Sequence, residues 1–257
     1  MQALTRPRGV LHIRAQGPED APALILANSL GTDLRLWDGL MPHLGRYRVI
    51  RYDKQGHGLS GLWDGTTLAD HTADAAAIAE WVGRPVTLIG CSIGGLIGQR
   101  LAATRPDLVR ALVLSNSAAR MGTPKGWRDR IAAVRAGGTA VIADAVMERW
   151  FAPAFRRTPE LALWQAMLAR TPADGYAAAC QALAGADQTD ATAALRLPVM
   201  VVAGGQDGAS PPDQVRATAD LIPGARFHLI PEAGHLPCVE TPDALAAAIL
   251  PFLEDHA

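Results

Sequence analysis

Apolar residues in this chain fall into short β-branched or leucine-rich runs, separated by alanine-rich stretches with helical period. The runs at 23–27, 47–52, 85–89 and 111–114 predict strands, with helices over 68–82 and 94–104 between them. The strand runs are continuously apolar rather than alternating, which argues for a mostly parallel central sheet covered on both faces by helices. Ile78, Trp81 and Val82 are the residues by which the first helix would cover that sheet. The same rhythm returns late, with strands at 199–202 and 225–230 and a closing helix over 243–254. The stretch 118–192 breaks it. No run there reads as a strand; Trp127, Trp150 and Trp164 sit in alanine-rich segments divided by Pro124, Pro153, Pro159 and Pro172. The expected organisation is an α/β core formed by 1–117 and 193–257, with 118–192 as a helical cap inserted over one end of the sheet.

Composition narrows the class. A chain of 257 residues with 49% hydrophobic and 19% charged side chains is expected to be one large globular domain. Its 24 basic and 25 acidic residues nearly cancel, so charge gives no reason to expect nucleic acid or an anionic membrane as partner. Cys91, Cys180 and Cys238 are odd in number and match no common zinc spacing, which points to a reducing compartment. Residues 1–9 carry no apolar signal core, and no apolar run reaches the roughly 20 residues that span a bilayer. A cytoplasmic location is the expectation. An oligomer is compatible with the sequence.

The strongest chemical signal is Gly90-Cys91-Ser92-Ile93-Gly94-Gly95, a G-x-S-x-G element directly after one expected strand and before a helix. Glycines flanking Ser92 let the backbone crowd at such a turn, and the helix start behind it favours negative charge. A serine nucleophile needs a base, and the base needs an orienting acid. Asp207 follows the strand at 199–202, and His235 follows the strand at 225–230. Ser92, Asp207 and His235 are therefore the expected catalytic set. His228 lies inside a strand, His43 and His71 precede the serine, and Asp213 reads as a helix-start residue. Two backbone N–H groups would hold the oxyanion, those of Ile93 and of Leu30 in the loop Asn28-Ser29-Leu30-Gly31-Thr32. The segment Arg51-Tyr52-Asp53-Lys54-Gln55-Gly56-His57-Gly58-Leu59-Ser60 reads as structural, with Asp53 and His57 satisfying loop amides. Cys91 reads as a small apolar group pointing away from the nucleophile.

With those residues in place the chain resembles the α/β-hydrolases, and more closely the 3-oxoadipate enol-lactonases. The likeness runs almost end to end, through Asn28-Ser29-Leu30-Gly31-Thr32-Asp33, Trp37-Asp38, Arg51-Tyr52-Asp53, Gly94-Gly95-Leu96-Ile97-Gly98-Gln99, Asn116-Ser117-Ala118-Ala119-Arg120, Gly122-Thr123-Pro124-Lys125-Gly126-Trp127 and Arg149-Trp150-Phe151. The resemblance implies an α/β-hydrolase fold, hydrolysis of a five-membered enol-lactone bearing a carboxymethyl arm, the triad Ser92, Asp207 and His235, and Trp127 lining the pocket under the cap. It implies no metal and no organic cofactor. Three departures stand out: Cys91 where leucine is expected, Lys54-Gln55 where threonine-arginine is usual, and Pro237-Cys238 where serine-asparagine is frequent.

A substrate carboxylate calls for a cation, and Arg120, Lys125 and Arg149 lie at or within the cap. Two alternatives share the fold. One is a carboxylesterase, or a lactonase for a different ring; the other is a small-molecule receptor built on a hydrolase scaffold. The expected partner is a small lactone or ester, with neither nucleic acid nor membrane.

Overall fold

The apolar runs pair into one sheet of eight strands in the computed structural model, which describes residues 1–63 and 66–257. The strands are β1 (Gln2–Arg6), β2 (Gly9–Gln16), β3 (Ala23–Ala27), β4 (Arg48–Tyr52), β5 (Val86–Cys91), β6 (Val109–Ser115), β7 (Val199–Gly204) and β8 (Arg226–Ile230). Their order across the sheet is β1-β2-β4-β3-β5-β6-β7-β8. From β4 to β8 every neighbouring pair is parallel. β3, β5 and β7 are buried at every position, as strands covered on both faces must be.

The antiparallel margin formed by β1 and β2 has no counterpart among the expected strands. In β2 only Leu11 and Ile13 are buried, so this strand shows the alternation of a one-sided edge rather than a solid apolar run.

Besides four short 3-10 helices, the described residues form ten α-helices: α1 (Leu68–Val82), α2 (Ile93–Thr104), α3 (Pro124–Gly137), α4 (Ala143–Trp150), α5 (Leu161–Ala169), α6 (Ala173–Ala184), α7 (Thr189–Ala193), α8 (Pro212–Leu221), α9 (Pro237–Glu240) and α10 (Pro242–His256). Thr67 and Asp70 close a capping box at the start of α1, and Gly83 ends it at φ 78°. The buried stripe of α1 passes through Leu68, His71, Ala75, Ile78 and Ala79. Trp81 falls beyond its edge and is 45% exposed, so it does not cover the sheet as the sequence led us to expect. No helix among the described residues is long and apolar enough to cross a membrane.

Parallel pairing points the carboxyl ends of β3, β5, β6, β7 and β8 the same way, so the loops that follow them gather along one edge. Of the helices between β6 and β7, α3 to α6 form a cap over that edge, while α7 packs against α2 and α8 of the core. The contact is close. Gly31, in the loop after β3, adopts φ 73°, and a Cβ there would run into Leu168 of α5 and meet Tyr176 of α6 and Trp150 of α4.

Candidate active site

Ser92 sits between β5 and α2 with φ 57° and ψ −122°, a conformation that residues with side chains seldom adopt. Holding it costs on the order of 1–3 kcal/mol. The turn closes because the backbone can crowd: a Cβ on Gly90 would collide with the Gly94 carbonyl, and one on Gly94 with the Ala27 carbonyl. The Ser92 N–H donates to the Ser115 carbonyl at 3.0 Å. Its own carbonyl accepts from the Gly95 N–H at 2.8 Å and from Ser117 Oγ at 2.8 Å. Both backbone polar groups of the candidate nucleophile are thereby fixed, and the residue is buried at the carboxyl end of β5.

His235 and Asp207 meet at this edge. The imidazole Nδ1–H donates to Asp207 Oδ2 at 2.8 Å, which leaves Nε2 free to accept a proton. The other carboxylate oxygen of Asp207 accepts from the N–H groups of Ala209 (2.7 Å) and Ser210 (2.9 Å). The His235 N–H donates to the Trp150 carbonyl at 2.6 Å, tying its loop to the end of α4. Cys91, the neighbour of Ser92, has its Sγ 3.6 Å from the His235 carbonyl, so the histidine loop lies against the serine turn. Burial alone would lower the His235 pKa, but the Asp207 charge and hydrogen bond outweigh it and hold the imidazole above its usual 6.5.

The amides of Leu30 and Ile93 have no protein acceptor among the described residues. An N–H group without a protein acceptor is available to a developing oxyanion. The Cys91 thiol is held well above the usual thiol range, by its contact with Cys238 and by burial, which makes it a poor nucleophile. All three cysteines are free and buried. Among the described residues no cluster of three or more His, Cys, Asp or Glu side chains could hold a metal ion.

Two residues outside the expected site set organise the site. Asn116, at φ 52°, donates from Nδ2 to Asp207 Oδ2 at 2.9 Å and to the Gly234 carbonyl at 3.0 Å. Glu240 accepts the Gly234 N–H at 2.9 Å and the Ala152 N–H at 2.8 Å, joining the histidine loop to the cap. Burial raises the Glu240 carboxyl to about 7, against the pull of those N–H groups. In the sequence Asn116 stood out only as the first residue of the family-like segment Asn116-Ser117-Ala118-Ala119-Arg120 after a buried strand, with no role attached, and Glu240 carried no signal.

The expected pocket residues are spread over the cap. The Trp127 indole N–H donates to the Met121 carbonyl at 2.7 Å, its ring lies against Gly122, and the Arg130 guanidinium stands 5.3 Å over it. Arg120 lies 3.6 Å from Asp187 and Lys125 2.7 Å from Asp129, both pairs on exposed surface. Arg149 instead lies beside the candidate triad. Its Nε donates to the Gly208 carbonyl at 3.1 Å, and its charge acts on both Asp207 and His235. Arg130 approaches Tyr176 Oη at 3.5 Å and adds its charge to that of Arg149. Among the described residues neither Arg130 nor Arg149 has a carboxylate partner. A groove of about 1030 Å³ runs beside the loop after β3, between Asp33 and Leu59 on the core and Phe155, Trp164 and Met167 on the cap.

Residues 22–242 match the family model of the α/β-hydrolase fold. The chain is an α/β-hydrolase. It is 35% identical to 3-oxoadipate enol-lactonase 2 of Acinetobacter baylyi, over 96% of this chain and 94% of the relative. The crystal structure of an enol-lactonase from Burkholderia xenovorans superposes with a TM-score of 0.92 at 35% identity, covering 96% of this hydrolase and 97% of that chain. A malate-bound thermophilic esterase from Thermogutta terrifontis also superposes with a TM-score of 0.92, at 28% identity over 99% of both chains. The coarse activity, a hydrolase acting on ester bonds, follows from this kinship.

Two outcomes follow for the site. Glu240→Ala strands two backbone N–H groups and should lower stability to urea by about 2–6 kcal/mol, at about 1–3 kcal/mol for each unsatisfied amide; an unchanged midpoint would remove Glu240 from this role. The base is active only when neutral, so kcat/KM for a neutral ester should rise with pH through a midpoint above 6.5. A midpoint at or below 6 would contradict the Asp207–His235 pairing.

Proposed function

We propose that this hydrolase opens the enol-lactone of 3-oxoadipate to give 3-oxoadipate, a step of aromatic catabolism in the β-ketoadipate pathway. The observation that carries the reading is the likeness to enol-lactonases along nearly the whole chain, cap included. In this reading Ser92 Oγ attacks the lactone carbonyl as His235 Nε2 takes its proton, and Asp207 keeps the imidazole oriented and stabilises its cationic form. The amides of Leu30 and Ile93 receive the developing oxyanion. Collapse breaks the ring C–O bond and releases an enolate; the proton that His235 took from Ser92 passes to it, which gives the ketone and leaves the imidazole neutral again. An enol leaves more readily than an alkyl alcohol, so this step needs little assistance. Water, deprotonated by His235, then cleaves the ester to Ser92 and frees the second carboxylate.

The cations favour an anionic substrate. Arg149 stands beside the candidate triad with Arg130 next to it, neither with an acidic partner among the described residues, whereas Arg120 and Lys125 pair with Asp187 and Asp129. Trp127, with Arg130 over its ring, belongs to the same side of the cap. The carboxymethyl arm of the lactone would lie toward Arg149. A second reading, hydrolysis of another small carboxylic ester, is favoured by the equal superposition of the esterase fold and by the unusual residues Lys54, Cys91 and Cys238 around the site.

Loss of the ultraviolet absorbance of 3-oxoadipate enol-lactone should be rapid with the wild type and abolished by Ser92→Ala. Negligible turnover by folded wild type, with ready cleavage of neutral esters, would select the second reading. Arg149→Ala should raise KM for the anionic lactone by about tenfold or more, the scale of one lost hydrogen bond to a charged group, and leave KM for a neutral aryl ester within about twofold. An unchanged lactone KM would remove Arg149 from carboxylate binding.

A further inference from the structure

Lys54 is fully buried and makes no ion pair among the described residues. A lysine ammonium in such a place is costly unless its hydrogens are used. They are spent on one short loop. Nζ donates to the Ser29 carbonyl at 2.6 Å and approaches the Thr32 carbonyl at 3.4 Å. Thr32 Oγ1 adds a second bond to the Ser29 carbonyl at 2.9 Å. On the other side of Leu30, the Gly31 N–H donates to His57 Nε2 at 3.1 Å, while the Nδ1–H of the same ring donates to the Gln55 carbonyl at 3.2 Å. Two side chains from the loop after β4 therefore grip the peptides on both sides of Leu30 and leave its own N–H without a protein acceptor.

The covalent connectivity matters here. The Ser29 carbonyl and the Leu30 N–H are the two ends of one peptide group. A cation on the carbonyl oxygen draws electron density across the amide and makes the N–H a stronger donor, as in any polarised hydrogen-bond chain. We propose that Lys54 is a positioning residue of the oxyanion hole: its ammonium orients and polarises the Ser29–Leu30 peptide, so that Leu30 N–H binds the transition-state oxyanion more strongly than it would without the charge. The inference rests on the assignment of Leu30 to the oxyanion hole under the proposed function.

Charge makes the device sensitive to pH. Burial pulls Lys54 down to about 7, while Asp53, Asp33 and the Cys91 thiol act in the opposite direction. The other titratable groups facing it are His57 and His71, both held far below the usual histidine range by burial first and by the Lys54 charge second, so they stay neutral throughout. Below about pH 7 the ammonium is present and the peptide is polarised. Above it the neutral amine is a weaker donor with no charge. The rate should therefore fall on the alkaline side, where a His-based hydrolase would otherwise hold a plateau.

The test uses p-nitrophenyl acetate, which reports hydrolysis whatever the natural substrate is, with Ser92→Ala as the control for the nucleophile. Wild type should give a bell-shaped profile of kcat against pH, with a descending limb between about pH 7 and 9. Lys54→Met should lower kcat by about tenfold at pH 6.5, less than the 100- to 1,000-fold typical of losing a whole oxyanion donor. It should leave KM within about twofold and abolish the descending limb. Lys54→Arg, whose charge does not titrate in this range, should also lack that limb and recover part of the lost rate. Lys54→Met with wild-type kcat, or with the descending limb intact, would overturn the proposal. Should that variant fail to fold, a wild-type rate that stays level from pH 7 to 9.5 would overturn it. Activity surviving in Ser92→Ala would instead show that the site assignment itself has failed, and a dead enol-lactone assay leaves the Lys54 result standing.

Discussion

The backbone of Ser92 is the constraint on which the rest of this molecule depends. A residue at φ 57° and ψ −122° holds that conformation only when its surroundings leave no cheaper one. Here β5 ends directly beneath it, α2 begins directly after it, and bonds to Ser115, Gly95 and Ser117 hold its peptide groups. Close packing of β3 against the turn is available only because Gly90 and Gly94 have no side chains. The same geometry leaves the Ile93 amide at the start of a helix, where negative charge is favoured.

Polar groups outside the candidate triad hold the remaining parts in place. Asn116 and Glu240 fix the loops of Asp207 and His235, and the Trp150 carbonyl binds the His235 N–H. Lys54 and His57 do the same for the loop after β3. These groups are buried or nearly so, and a buried polar network is worth its desolvation only when each member has its partner. The cap is part of this arrangement: Glu240 and Trp150 join its stem to the histidine loop, and Leu168, Tyr176 and Trp150 press on Gly31.

What the sequence made legible follows from the same physics. Strands buried on both faces, such as β3, β5 and β7, write themselves as solid apolar runs, and a serine between a strand and a helix carries its flanking glycines with it. The hairpin of β1 and β2 was not legible because a one-sided edge leaves only Leu11 and Ile13 as its buried mark. Trp81 misled because an apolar residue near the end of a helix can lie just outside the buried stripe. Asn116, Glu240 and Arg130 act through partners far away in the chain, and no local pattern announces such pairings. Lys54 reads as one residue of a polar loop until the fold places the Ser29 carbonyl against its ammonium.

The central claim is that one strained serine beside an Asp207–His235 pair is the nucleophile. A fluorophosphonate probe bonds covalently only to a serine activated in this way, so intact-mass analysis followed by peptide mapping tests the claim directly. A single adduct per chain, located on Ser92, is the expected result. An adduct on any other residue, or none on the folded protein, would contradict it.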